Sequence, residues 1–115
     1  MVEIRTVMIA IPSLFRDLIL ELTEGRATLE VVGDFDTRFG LEEQLQELAP
    51  NLILIKLCGN EGDEVGLELV EALPSTKVIA FSSNAREAFV YRMPHQRTAL
   101  LDVSPRSLID AITGS

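Results

Sequence analysis

Cysteine and histidine are almost missing from this chain of 115 residues, which holds one of each, Cys58 and His95, and no tryptophan. A lone cysteine cannot close an internal disulfide, so the fold does not depend on an oxidising compartment. Cys58 and His95 alone cannot build a zinc site, which needs at least two further ligands of the usual types. Positive charge is scarce too: 10 Lys+Arg face 18 Asp+Glu, a formal net charge of −8. That balance argues against nucleic acid as a partner, since phosphate binding needs a dense basic surface, and it disfavours anionic membranes. Long apolar runs are also absent. Val7–Ile11 and Leu52–Ile55 fall far short of the roughly 20 residues of a membrane span. The opening Met1-Val2-Glu3-Ile4-Arg5 lacks a basic stretch followed by an apolar run and a cleavage site. A soluble, cytoplasmic protein is therefore expected.

What is present is a globular composition, 47% apolar, in a length that suits one domain over residues 1–115. Short β-branched runs alternate with helical patterns. Val7-Met8-Ile9-Ala10-Ile11 reads as a buried strand, ended by Pro12-Ser13. Leu14, Phe15, Leu18, Ile19 and Leu22 form a helical stripe, with Ser13 as its cap and Gly25 as its stop. Leu29–Gly33 is a second strand, interrupted by Glu30 and therefore expected at an edge. Leu41, Leu45 and Leu48 mark a second helix, ended by Ala49-Pro50. Leu52–Ile55 is apolar on both faces, which suits a central parallel strand covered by helices. Gly59–Asp63 reads as a solvated loop, whose acids repel phosphate and whose spacing does not match a calcium loop. A short helix carrying Leu67, Leu69, Val70 and Leu73 follows, then a fourth strand at Val78–Phe81. Ala85–Met93 is expected to be a helix cut short by Pro94, and Ala99–Leu101 a fifth strand. Ser104-Pro105 opens a last helix with Leu108, Ile109 and Ile112. Five such units in succession predict an α/β domain, a doubly wound parallel sheet with helices on both faces.

Function in such sheets collects at the carboxyl ends of the strands, here Ala10-Ile11, Gly33-Asp34, Lys56-Leu57, Ser82-Ser83 and Asp102. At this level the chain resembles the receiver domain of two-component response regulators over almost its whole length. The resemblance is carried by Leu14-Phe15-Arg16, Leu29–Gly33, Pro50–Ile55, Lys77-Val78-Ile79 and Glu87–Val90. Ser104-Pro105 followed by Leu108-Ile109 and Ala111-Ile112 continues it. It is closest to receivers that precede helix-turn-helix output domains. The resemblance implies a flavodoxin-like fold with five parallel strands in the order 2-1-3-4-5, and a place in phosphorelay signal transduction.

The family's chemistry needs an acidic pair after the first strand and a phosphoacceptor aspartate after the third. It also needs a hydroxyl after the fourth strand and a lysine after the fifth. Mapped residue by residue, the pair falls on Ala10 and Ile11, the acceptor on Lys56, the hydroxyl on Ser82 and the lysine on Asp102 or, with a one-residue shift, on Leu101. Neither Ala10 nor Ile11 can ligate Mg²⁺, and an ammonium at Lys56 repels it. The expectation is a pseudo-receiver that keeps these positions as vestiges. It is expected not to be an enzyme, to use no metal or cofactor, and to act through a regulator, a kinase, an output domain or a second copy of itself.

Bland readings stand beside each candidate. Lys56 reads equally as a snorkelling lysine paired with an acid, Asp102 as a loop carboxylate near the Ser104 cap, and Ser82 as a turn residue without a base. Two rivals also follow from the sequence. One is an active receiver that uses a displaced carboxylate, Asp34 or Asp63. The other is a small-ligand or anion sensor in the crevice at the strand ends, beside Lys56. The exchanged signs at Lys56 and Asp102 further predict a contact between those two side chains.

Overall fold

The computed structural model describes residues 3–23, 28–37, 39–57, 62–83, 86–93, 96–100 and 105–113. Strands β1 (Glu3–Ile9), β2 (Thr28–Phe35), β3 (Leu52–Lys56) and β4 (Lys77–Phe81) alternate with helices α1 (Ser13–Thr23), α2 (Glu42–Leu48) and α3 (Asp63–Ala72). These four strands are parallel in the order 2-1-3-4. β2 lies at an edge, as its polar interruption suggests, and a one-residue shift in its register with β1 falls between Thr6 and Val7. β3 is central, with Leu52, Ile53, Leu54 and Ile55 all buried. A strand covered on both faces has no solvent side, and its sequence accordingly shows no alternation.

The second half departs from the expected architecture. The Ala85–Met93 segment, read above as a helix, instead holds strand β5 (Ala88–Arg92), and β6 (Gln96–Leu100) replaces the expected parallel fifth strand. Both are antiparallel to their neighbours, so the sheet has six strands in the order 2-1-3-4-5-6 and is mixed. The five-stranded, all-parallel flavodoxin-like receiver sheet is therefore not the fold of this chain. Two physical reasons account for the difference. Ala88-Phe89-Val90-Tyr91-Arg92 is rich in aromatic and β-branched side chains that suit a pleated surface. In addition, β4 ends at Phe81 and β5 begins at Ala88, a link shorter than the dozen or so residues of a parallel crossover. The chain turns back on itself, and Ser82 N–H closes the turn on the Glu87 carbonyl at 2.9 Å.

Helix α4 (Pro105–Thr113) begins at the proline, as expected from the sequence. It shares one face of the sheet with α1, where Met8, Ile19, Leu54, Ile79, Phe81, Val90, Leu108 and Ile112 form one core. Phe15 meets Phe81 edge-on there, centroids 4.9 Å apart. Helices α2 and α3 cover the opposite face with Val7, Ile9, Leu45, Ile53, Ile55, Val65, Val70 and Tyr91. Each fully buried aliphatic side chain contributes about 1.5–3 kcal/mol of transfer free energy. The buried Thr76 hydroxyl donates to the Pro50 carbonyl at 2.7 Å, and no buried side-chain nitrogen or oxygen among the described residues lacks a partner. No helix among them is long and apolar enough to cross a membrane.

Two alanines sit in the left-handed region, Ala10 at φ 57° and Ala49 at φ 45°. Ala49 closes the carboxyl end of α2, with its N–H on the Leu45 carbonyl at 3.0 Å. Glycine is the usual residue there because a Cβ is strained at positive φ. Ala49 is exposed, so Ala49→Gly removes the strain without opening a cavity. We expect that variant to gain about 0.5–1 kcal/mol after the entropy of glycine is deducted. An unchanged or lower melting temperature would contradict this.

Candidate functional site

The carboxyl rim of the parallel strands holds the positions singled out from the sequence. Ala10 follows β1, half-buried, and its N–H donates to the Phe35 carbonyl at 2.7 Å. Ile11 is 8% exposed and belongs to the α1/α4 core. Lys56 ends β3, half-buried and in register with Phe81. By strand alternation it stands on the α1/α4 side of the sheet. Ser82 follows β4, where its Oγ accepts the Glu87 N–H at 3.2 Å. That bond makes Ser82 a turn residue of the β4–β5 hairpin. Asp102 lies outside the described residues, as do its expected contact with Lys56, Cys58, His95, Pro94 and Gly59–Glu61 of the predicted loop.

The two displaced carboxylates fare differently. Asp34 on β2 forms an ion pair with Arg16 of α1, each side chain about one-third exposed at 37% and 33%. Asp63, expected in a loop, is instead the first residue of α3 and the hub of a polar cluster. Its Oδ1 accepts the Tyr91 hydroxyl at 2.6 Å and the Arg97 Nε–H at 2.8 Å. Tyr91 and Arg97 face each other across β5 and β6, so one register places both donors over the start of α3. Arg97 also stacks on the Phe89 ring, 4.4 Å from its centroid.

Gly66 permits this arrangement. A Cβ at that position would lie 2.3 Å from the Cδ2 and Cε2 atoms of Tyr91. The bare helix face lets the phenol reach past α3 to Asp63. Beside the cluster is a cleft of about 320 Å³, lined by Leu57, Ser82, Ser83, Phe89, Asp63 and Arg97. Ser82 is the one described vestigial position that reaches it.

Electrostatics set what the cluster can do. The Tyr91 hydroxyl foremost, and then Arg97, hold the Asp63 carboxyl below its ordinary value, against the opposing effect of burial. Burial first, then the bond to Asp63, pushes the Tyr91 phenol up to about 12. Asp63 is thus a fixed anion and Tyr91 a fixed neutral donor across the physiological range. Such a pair orients and binds. It is poorly placed to shuttle protons, which requires a value near the working pH. Among the described residues no group of three His, Cys, Asp or Glu could hold a metal ion.

Tyr91, Arg97 and Gly66 were not singled out from the sequence. The available signals were the single tyrosine of the chain and a glycine inside an otherwise helical stretch, Glu64-Val65-Gly66-Leu67. Comparison of the chain with protein-family models, with curated proteins and with solved structures finds no match.

Proposed function

We propose that the protein is a non-catalytic, receiver-like signalling module that works by contact with another protein. The observation that carries this reading is the state of the rim. Where Mg²⁺-dependent phosphotransfer needs three carboxylates, the chain has Ala10, the core residue Ile11, and Lys56. The rival carboxylates are both engaged, Asp34 by Arg16 and Asp63 by Tyr91 and Arg97. A carboxylate whose electron density is drawn off by two donors is a weakened nucleophile. Strands β1–β4 are parallel in the order 2-1-3-4 and bring these positions to one rim. The β5–β6 hairpin then supplies a different surface for contact. The proposed partner is a regulator, a kinase, an output domain or a second copy of the chain.

Acetyl phosphate with Mg²⁺ tests the reading directly. Intact-mass measurement should show no adduct on the wild-type chain, nor on Lys56→Asp, because Ala10 and Ile11 still leave the metal unheld. An acid-labile, stoichiometric phosphoryl adduct on the wild type would overturn it.

A further inference from the structure

Strand β6 ends the sheet on one side, with Gln96, Arg97, Thr98 and Ala99 all exposed. An open strand edge presents unpaired backbone groups, a template for another strand. The ladder fixes which groups these are. Ser82 N–H bonds the Glu87 carbonyl, and antiparallel pairs alternate between bonded and non-bonded. In the β4–β5 register the next bonded pairs are therefore Ala80–Phe89 and Val78–Tyr91. Phe89 and Tyr91 turn their backbone groups to β4. Ala88, Val90 and Arg92 turn theirs the other way, against Leu100, Thr98 and Gln96 of β6. The N–H and C=O groups of Arg97 and Ala99 are left on the outer edge, and among the described residues no backbone bond closes on them.

The two edges of the sheet differ. β2, at the far side, carries a register shift against β1 and the exposed acids Glu30 and Asp34. Bulges and charges of this kind discourage pairing with another chain. β6 reads Gln96-Arg97-Thr98-Ala99-Leu100, without proline, glycine, lysine or acid. Its single charge does not guard the edge. Arg97 is drawn over the α3 face of the sheet, onto Asp63 at 2.8 Å and the Phe89 ring.

Charge and register both suit a second copy of the chain as the occupant. With a net charge of −8, two copies repel one another through most of their surface. None of the 18 acids lies between Ala88 and Leu100, so the hairpin is where two copies approach at least cost. The strand is also complementary to itself. Antiparallel pairing about a two-fold axis at Thr98 sets Arg97 opposite Ala99 of the second copy, and Ala99 opposite its Arg97. These are the residues with open outward groups, so both pairs are of the bonded kind. The arginines then face alanines and not each other. Thr98 meets Thr98 at the non-bonded position, where side chains stand closest and a Thr–Thr pair is favourable.

We propose that β6 is a dimerisation edge, pairing with β6 of a second copy about a two-fold axis at Thr98 and joining two six-stranded sheets into one. A strand of 5 residues buries less than the roughly 1,200 Å² at which standard interfaces begin, so the dimer is weak and forms as concentration rises. The inference selects the second copy among the partners proposed above, but it rests on the strand edge and not on the state of the rim. A phosphoryl adduct on a chain that pairs through β6 would overturn the reading of the rim alone. A chain that is neither phosphorylated nor dimeric would overturn the pairing alone.

Analytical ultracentrifugation over a concentration series into the millimolar range tests this. The wild-type chain should pass from monomer to dimer, with amide exchange slowing at Arg97 and Ala99 as it does. Thr98 turns to the α4 side, where it lines a cleft of about 450 Å³ with Lys77, Arg92 and Ser107, so a longer side chain has room there. Thr98→Glu and Thr98→Lys should each remain monomeric, because like charges then stand opposite one another, and an equimolar mixture of the two should recover the dimer. Ala99→Pro removes an outward N–H and spares the ladder to β5. It should weaken association by about tenfold or more, since the symmetry deletes the bond twice. A wild type that stays monomeric at millimolar concentration, a dimer unaffected by Thr98→Glu and Ala99→Pro, or a charge-swapped mixture that fails to associate would each overturn the proposal. A dimer that leaves exchange at Arg97 and Ala99 unchanged would overturn it equally.

Discussion

Tyr91→Ala should cost about 3–5 kcal/mol of folding stability, the range for removing a buried aromatic ring. That is a large part of the roughly 5–15 kcal/mol that holds a domain of this size together. Tyr91 is fully buried, packs under α3 and carries the only described hydroxyl bond to Asp63. Tyr91→Phe keeps the ring and removes the bond. Because Asp63 is about half exposed, at 49%, water can replace the lost donor, and the cost should be about 1 kcal/mol. Urea denaturation of both variants separates ring from hydroxyl. Equal losses would show that the hydrogen bond, and not the packing, dominates.

The same pair of proteins has a pH signature. The phenol is raised from 10.0 to about 12 in the fold, so the folded state holds this proton more tightly than the unfolded chain does. Its contribution is complete below about pH 10 and is lost as the pH rises towards 12. Asp63 has the opposite sense. Its lowered value contributes stability above the ordinary carboxylate range, and that stability is lost as the pH falls through the folded value. Tyr91→Phe removes the alkaline loss altogether and reduces the acid one, since the Tyr91 hydroxyl is the main cause of the Asp63 shift. An alkaline slope identical in wild type and Tyr91→Phe would refute the assignment.

Gly66→Ala should also destabilise the fold, although alanine is the better helix former by about 1 kcal/mol. The added Cβ would stand 2.3 Å from two ring carbons and 2.7 Å from a third. Either the ring or α3 must move, and such overpacking costs about 1–3 kcal/mol, occasionally more. The flexible end of a side chain could give way; a ring held between two strands and a helix cannot. The net loss should therefore be about 1–2 kcal/mol. Removing the ring should reverse the sign. In the Tyr91→Leu background the clash is relieved and Gly66→Ala should become neutral or stabilising, a coupling that a double-mutant cycle reads directly. Additive effects of the two changes would show that the contact is unimportant.

Local pattern carried the first two-thirds of the molecule. Val7–Ile9, Leu52–Ile55 and Val78–Phe81 are short, largely aliphatic runs of the length and composition of strands in the middle of a sheet. The Leu41/Leu45 and Leu108/Ile112 spacings can bury a stripe only as helices. That Ala10, Ile11 and Lys56 carry no carboxylate is a matter of residue type and holds wherever the fold places them. The hairpin was not legible. Over nine residues, Ala85–Met93 satisfies a helical spacing and a strand propensity about equally well. Contacts distant in sequence decide between them: Tyr91 pairs with Val78 and packs against Gly66, while Arg97 returns to Asp63. The placement of Tyr91 and of Arg92 depends on that choice. In a helix, Tyr91 and Arg92 would occupy neighbouring positions around one cylinder. In a strand they point to opposite faces of the sheet, one to the acid at the start of α3 and the other to Lys77 and the cleft beside α4. Residue types are properties of the sequence, but which charges meet is set by register, and this register forms only when the antiparallel strands pair.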